Sequence, residues 1–118
     1  MANITPSAPS NAGALAPFAA TTPGGDEIVY NGGDLMIEFN NGHASSITVQ
    51  FVPTQSSKKV AGAGRVNIPT RSLAIAAGAH GVFRFGQEDV NAYVNAAGRI
   101  PITYTGGNAA MTMRAFRT

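Results

Sequence analysis

Residues 73–86, Leu-Ala-Ile-Ala-Ala-Gly-Ala-His-Gly-Val-Phe-Arg-Phe-Gly, constrain the fold most, because they set two short alternating runs around an Ala77-Gly78 bend. Leu73 and Ile75 point one way, Ser72 and Ala74 the other, and beyond the bend Phe83 and Phe85 share a face with Arg84 between them. A period of two with one apolar side marks a strand that buries one face. The pattern predicts a β-hairpin. It holds no nucleophile, metal-ligand cluster or phosphate cradle, so its role is architectural.

The same alternation recurs along the chain. Residues 27–30 lead through Asn31-Gly32-Gly33-Asp34 to a run with Leu35, Ile37 and Phe39 on one face, and Asn40-Asn41-Gly42-His43 turns into a third run with Ile47, Val49 and Phe51 inward. These three strands predict a meander. Residues 53–64, with Lys58-Lys59 and Gly62-Ala63-Gly64, read as a polar loop, and these glycines lack the strand-to-helix context of a dinucleotide-binding turn. Val66 and Ile68 form a short strand ended by Pro69, and residues 100–104 and 110–116 close the chain as two strands around Thr105-Gly106-Gly107-Asn108. Helical spacing occurs only at Val90, Tyr93 and Val94, within a segment 89–97 that Asp89 can cap and Gly98 ends, either as a helix or as one turn or a short irregular corner. Short strands punctuated by Gly, Asn and Pro predict an all-β fold, an antiparallel β-sandwich of jelly-roll or Ig-like topology, over residues 26–118.

Residues 1–25 form an extended N-terminal arm. They carry no charge and have isolated apolar points at Ile4, Leu15 and Phe18, without the basic start or continuous apolar run of a secretory signal. Nothing in the chain reaches the roughly 18 apolar residues of a membrane span. Such a segment cannot bury enough surface to fold alone, and ordering it costs about 1–2 kcal/mol per residue. The expectation is that it lies along a neighbouring protein surface, anchored by Ile4, Leu15 and Phe18, with its backbone adding to a sheet edge.

Charge is sparse. Charged residues are 12% of the 118, about half the usual share, and the formal net charge is +2. The order of the charges is informative: Asp26, Glu27, Asp34 and Glu38 precede every base, and all Lys and Arg fall between Lys58 and Arg117. This asymmetry suggests partners or copies meeting head to tail, with Arg84, Arg99, Arg114 and Arg117 as basic contacts. Ordinary solvated charges in a chance order are the alternative.

Catalytic chemistry finds no foothold. Cysteine is absent, and His43 and His80 lie in separate turns without metal-ligand spacing, so neither a metal nor a cofactor is expected. Adjacent carboxylates such as Glu88-Asp89 face opposite ways on an extended chain and cannot flank a scissile bond. No Gly-x-Ser-x-Gly elbow is present. Phe83-Arg84-Phe85 and Arg114-Ala115-Phe116-Arg117 mix aromatic and basic residues as single-strand binders do, yet the alternation fits a buried aromatic face with an outward arginine better. The reading is a non-enzymatic protein that binds neither membrane nor nucleic acid.

From residue 24 onward the chain resembles the capsid decoration, or cement, proteins of tailed bacteriophages. The resemblance rests chiefly on Ile75-Ala76-Ala77-Gly78-Ala79-His80 through Phe85, on the Tyr93-x-Asn95-x-x-Gly98 corner, and on Ile100-Pro101-Ile102-Thr103-Tyr104. The Asn31-Gly32-Gly33 turn, the strand beginning at Leu35 and Ser46-Ile47-Thr48-Val49 are also similar. The resemblance implies a β-sandwich on the outer surface of the virion, bound to the major capsid protein between capsomers, with neighbouring copies forming a homotrimer. Pro101 departs from the pattern, since proline inside a strand requires an edge or a bulge. The rival expectation is an adhesion or carbohydrate-binding sandwich on a tail or head fibre, with Tyr30, Tyr93 and Tyr104 as its aromatic candidates.

Overall fold

Alternation decides which side of each strand is dry, and the observed burial follows it. In the structure, a computed structural model that describes residues 3–8, 17–54, 57–62 and 64–117, the strands are β1 (Asn3–Ile4), β2 (Ala19–Ala20), β3 (Asp26–Val29), β4 (Leu35–Asn41), β5 (Ile47–Phe51), β6 (Ser57–Val60), β7 (Gly64–Asn67), β8 (Arg71–Ile75), β9 (His80–Phe85), β10 (Arg99–Thr105) and β11 (Met111–Arg117). Leu35, Ile37 and Phe39 on β4, Ile47, Val49 and Phe51 on β5, and Phe83 and Phe85 on β9 are all buried, as their spacing requires. The fold is an all-β sandwich. A five-stranded sheet, β1-β3-β10-β5-β8, packs on a four-stranded sheet, β2-β11-β4-β9, while β6 and β7 form a separate ribbon.

The pairing overturns two expectations. Residues 73–86 are not a hairpin: β8 pairs with β5 and β9 with β4, so the chain crosses from one sheet to the other through the Ala77-Gly78 bend. Nor do β3, β4 and β5 make a meander, because they alternate between the two sheets. The crossing has a physical cause in Asn41, which is fully buried. Its Nδ2 donates to the Ile75 carbonyl at 2.8 Å and the Ser45 carbonyl at 3.0 Å, and its main-chain carbonyl accepts from Gly78 N–H at 2.7 Å. Gly78 takes a φ of 76°, open only to glycine without strain. These bonds fasten the bend to the end of β4 and carry the chain over the edge instead of back along it.

The antiparallel pairs are nested: β3 with β10, β4 with β9, β5 with β8, and β6 with β7. This is the pairing of a jelly roll, one long hairpin folded over on itself. Here the innermost pair stays apart as a ribbon, so residues 57–60, expected in a loop, are strand. β11 adds outside β4, and β1 and β2 cover the outer edges of β3 and β11.

The nesting also accounts for the charge order. Strands from the first half of the chain lie beside strands from the second, so early acids meet late bases within one molecule. Arg99 approaches Glu27 at 3.7 Å, Arg84 approaches Asp34 at 3.7 Å, and Arg114 approaches Glu38 at 3.0 Å. Head-to-tail contact between copies is not needed to explain the asymmetry.

Pro101 sits in a strand interior to its sheet. The ladder nonetheless divides at this point: residues 99–102 pair only with β3, and β5 joins from Thr103 onward. Proline therefore has a strand on one side alone, which satisfies its missing N–H. The helical segment is a single turn, α1 (Gln87–Val90), whose N-cap is Gly86 without a side-chain bond, so Asp89 is not the cap. The rest is a corner built on Asn95. Its Oδ1 accepts from the N–H groups of Ala97 and Arg99, and its Nδ2 donates to Glu27 at 3.0 Å. The Tyr-x-Asn-x-x-Gly motif is thus a structural device, with Val90 and Tyr93 turned into the core.

Aromatic rings join the layers. The Phe51 ring, from the five-stranded sheet, lies 4.8 Å from Phe83, 5.0 Å from Phe85 and 6.5 Å from Phe39 of the other sheet, all edge-to-face. Below the arm, Tyr104 donates its hydroxyl to Asp26 Oδ2 at 2.7 Å, and the same oxygen accepts from Thr22 N–H at 3.0 Å. Burial, and then the bond and charge of Asp26, raise the Tyr104 phenol far above the ordinary tyrosine range. The unfolded chain releases this proton near pH 10 while the folded chain retains it, so the stabilisation is complete below about pH 10 and is lost as pH rises above it. Urea unfolding between about pH 9.5 and 11.5 should show stability falling by up to about 1.4 kcal/mol per pH unit from this group. A Tyr104→Phe variant with an equally steep fall would remove Tyr104 as the cause.

Candidate docking face on the four-stranded sheet

With the odd-numbered residues of β4, β9 and β11 buried, the even-numbered ones form the outer face of the four-stranded sheet. Register places them in three rows across β11, β4 and β9: Thr112, Asn40 and His80; Arg114, Glu38 and Val82; Phe116, Met36 and Arg84. Two apolar side chains stand open where alternation would place polar ones, Met36 at 44% and Val82 at 55% exposure. Phe116 lies directly across from Met36, and Phe18, leading into β2, is 36% exposed. Phe116 and Met36 stand side by side in one row, while in the next row Val82 lies beyond Glu38 and Phe18 lies against Arg114.

The charges on this face are satisfied within it. Arg114 Nε donates to Glu38 Oε2 at 3.0 Å, and its guanidinium carbon lies 4.3 Å from the Phe18 ring centroid and 5.3 Å from that of Phe116. Glu38 Oε1 also faces His80 Nδ1 at 3.8 Å, so His80 belongs to a strand surface rather than a turn. Arg84 pairs with Asp34, whose Oδ1 accepts from Gln87 N–H at 2.8 Å. Each exposed pair adds only about 0–1 kcal/mol to stability.

Of the residues expected to bind partners, the structure brings together Phe18, Arg84 and Arg114. Arg99 lies on the other sheet beside Glu27, and Arg117 ends β11, with its backbone N–H donating to Ser7 at 2.9 Å. Ile4 packs half-buried against the core from β1, so the described parts of the arm lie on the chain's own sheets. Leu15 lies outside the described residues. Met36 and Val82 were readable in principle, as apolar residues in the outward phase of otherwise regular strands.

The tyrosines of the carbohydrate-binding expectation are committed elsewhere. Tyr30 donates to the Gly33 carbonyl at 3.0 Å, Tyr93 to the Pro69 carbonyl at 2.7 Å, and Tyr104 to Asp26. Tyr93 is buried and Tyr30 and Tyr104 pack half-buried against the core, so the three do not converge on an open platform. Among the described residues no group of three or more His, Cys, Asp or Glu is placed to hold a metal, and no helix is long and apolar enough to cross a membrane. Compared with protein-family models, curated proteins and solved structures, the chain has no match.

Proposed function

We propose that the protein is a structural component of a phage virion, a decoration protein that binds the outside of the head between capsomers of the major capsid protein and reinforces the shell. The observation that carries this reading is the set of outward apolar residues Phe18, Phe116, Met36 and Val82 on one β-face, where Arg84 and Arg114 are paired with Asp34 and Glu38. Aromatic residues, Met and Arg are the types enriched at protein interfaces, and an exposed apolar patch marks a contact surface. The resemblance of the strand and corner motifs to those of decoration proteins supports the same reading. The mechanism is mass action: many copies that bind only the assembled shell stabilise it over its dissociated parts.

The test uses heads assembled without this protein. Adding the full chain should raise the temperature at which they release DNA, and a Met36→Glu, Val82→Glu variant should bind them at least about tenfold more weakly with its own melting temperature unchanged. Fully burying a Met or Val contributes about 1.5–3 kcal/mol, enough for that difference. Heads equally stable with and without the protein, or protein found only on the tail, would defeat the proposal.

A further inference from the structure

The two sheets are finished differently at their edges. β1 covers β3, and β2 covers β11. On the opposite side, β9 carries His80 and Arg84, and its Arg84 carbonyl already accepts from Arg71 Nη1 at 2.8 Å. β8 is unlike these. It pairs with β5 along one side only, and among the described residues no strand covers the other. Natural edge strands are blunted with lysine, proline, inward charges or bulges. Of these devices β8, Arg-Ser-Leu-Ala-Ile, has one, the inward Arg71 at its first position, whose guanidinium carbon lies 4.4 Å from the Phe85 ring centroid and which approaches Asp89 at 3.8 Å; Ser72 to Ile75 carry none.

The strand is also self-complementary. Laid antiparallel on its own copy about Leu73, it sets Ser72 opposite Ala74 on the outer face, and Arg71 opposite Ile75 and Leu73 opposite Leu73 on the inner face. No like charges meet across this register. Leu73 is 39% exposed although it shares the inner side with buried Ile75, and the residue beneath both is Gly81. A Cβ at position 81 would come within 2.6 Å of Ile75 Cδ1 and 3.0 Å of Leu73 Cδ2. Glycine lets these side chains sit low, leaving a half-open apolar position that a second Leu73 would close. The outer face next to this edge is uncharged, with Ser72 and Ala74 beside Thr48 and Gln50, and Thr103 and Thr105 beyond.

We propose that β8 is a homodimerisation edge: two copies join β8 to β8 across a two-fold axis, continuing the five-stranded sheet from one chain into the other. The contact is isologous and uses main-chain bonds for affinity, as strand addition does. It does not depend on the shell and differs from the trimer that the family resemblance implies.

Sedimentation equilibrium of the full chain, from micromolar to about millimolar concentration, tests it. The mass should rise from the 12.1 kDa of one chain toward twice that value. In this register a Ser72→Lys, Ala74→Lys variant sets lysine against lysine at every outer position, and it should associate at least about tenfold more weakly while melting at the same temperature. A Ser72→Glu, Ala74→Glu variant should fail in the same way, and an equimolar mixture of the two should recover a dimer containing one chain of each. A wild-type chain that stays monomeric to millimolar concentration, a mass of three chains, or a lysine variant as tightly associated as wild type each overturns the proposal. Monomeric wild type would overturn it even if β8 takes a strand from another protein.

Discussion

A Phe51→Ala variant should lose about 3–5 kcal/mol of stability in urea or guanidinium unfolding. The side chain is fully buried, and its ring is the one from the five-stranded sheet that touches Phe39, Phe83 and Phe85 together. Truncation removes the transfer energy of the ring and opens a cavity between two sheets whose strands are fixed by their own ladders, so neighbours can refill it only in part. Against the 5–15 kcal/mol typical of a whole domain, that loss brings the protein close to unfolding at ordinary temperature. A change below about 1.5 kcal/mol would mean that the sheets are held together elsewhere.

An Asp26→Ala variant should cost about 2–5 kcal/mol for a different reason. The Asp26 carboxylate is buried and accepts from both Tyr104 and the backbone of Thr22, so its removal leaves two donors without that acceptor, at about 1–3 kcal/mol each. The loss should be shared with Tyr104: adding Tyr104→Phe to Asp26→Ala should cost clearly less than the sum of the separate changes, as expected for groups in one hydrogen-bonded unit. Strict additivity would show that the two side chains act independently. Because Thr22 follows β2, the Asp26→Ala chain should also be cut earlier in its N-terminal segment by a protease.

Local features of this fold were legible and long-range ones were not. The inward faces of β4, β5 and β9 follow from alternation, since a side chain's direction is set by its immediate neighbours along the strand. Partner choice obeys no such local rule. Residues 73–86 have the composition of a hairpin, but their conformation is decided by Asn41, more than thirty residues earlier in the chain, whose bonds to Ile75 and Gly78 no periodicity foretells. The acid-then-base order was visible as a pattern, and its cause appears only once first-half strands are seen beside second-half ones. Residue type alone singles out Phe18, Arg84 and Arg114, whereas Met36 and Val82 give a weak signal, since an isolated outward apolar residue is common on any surface. Arg99 carried the same signal as Arg114 and lies on the opposite sheet, because charge and phase do not say which layer a strand joins.

The nested pairing has a consequence for how the chain can be made. In the five-stranded sheet β3 and β5 are separated by β10, and in the four-stranded sheet the neighbours of β4 are β9 and β11. Among the described residues, apart from the two-residue β1, every ladder partner of these three strands therefore comes from later in the sequence. A nascent chain that has emerged only as far as β5 has no sheet to build, and its apolar faces must wait for the C-terminal strands. The domain has no N-terminal half that can fold first, and its four-stranded sheet is complete only when β11 closes against β4.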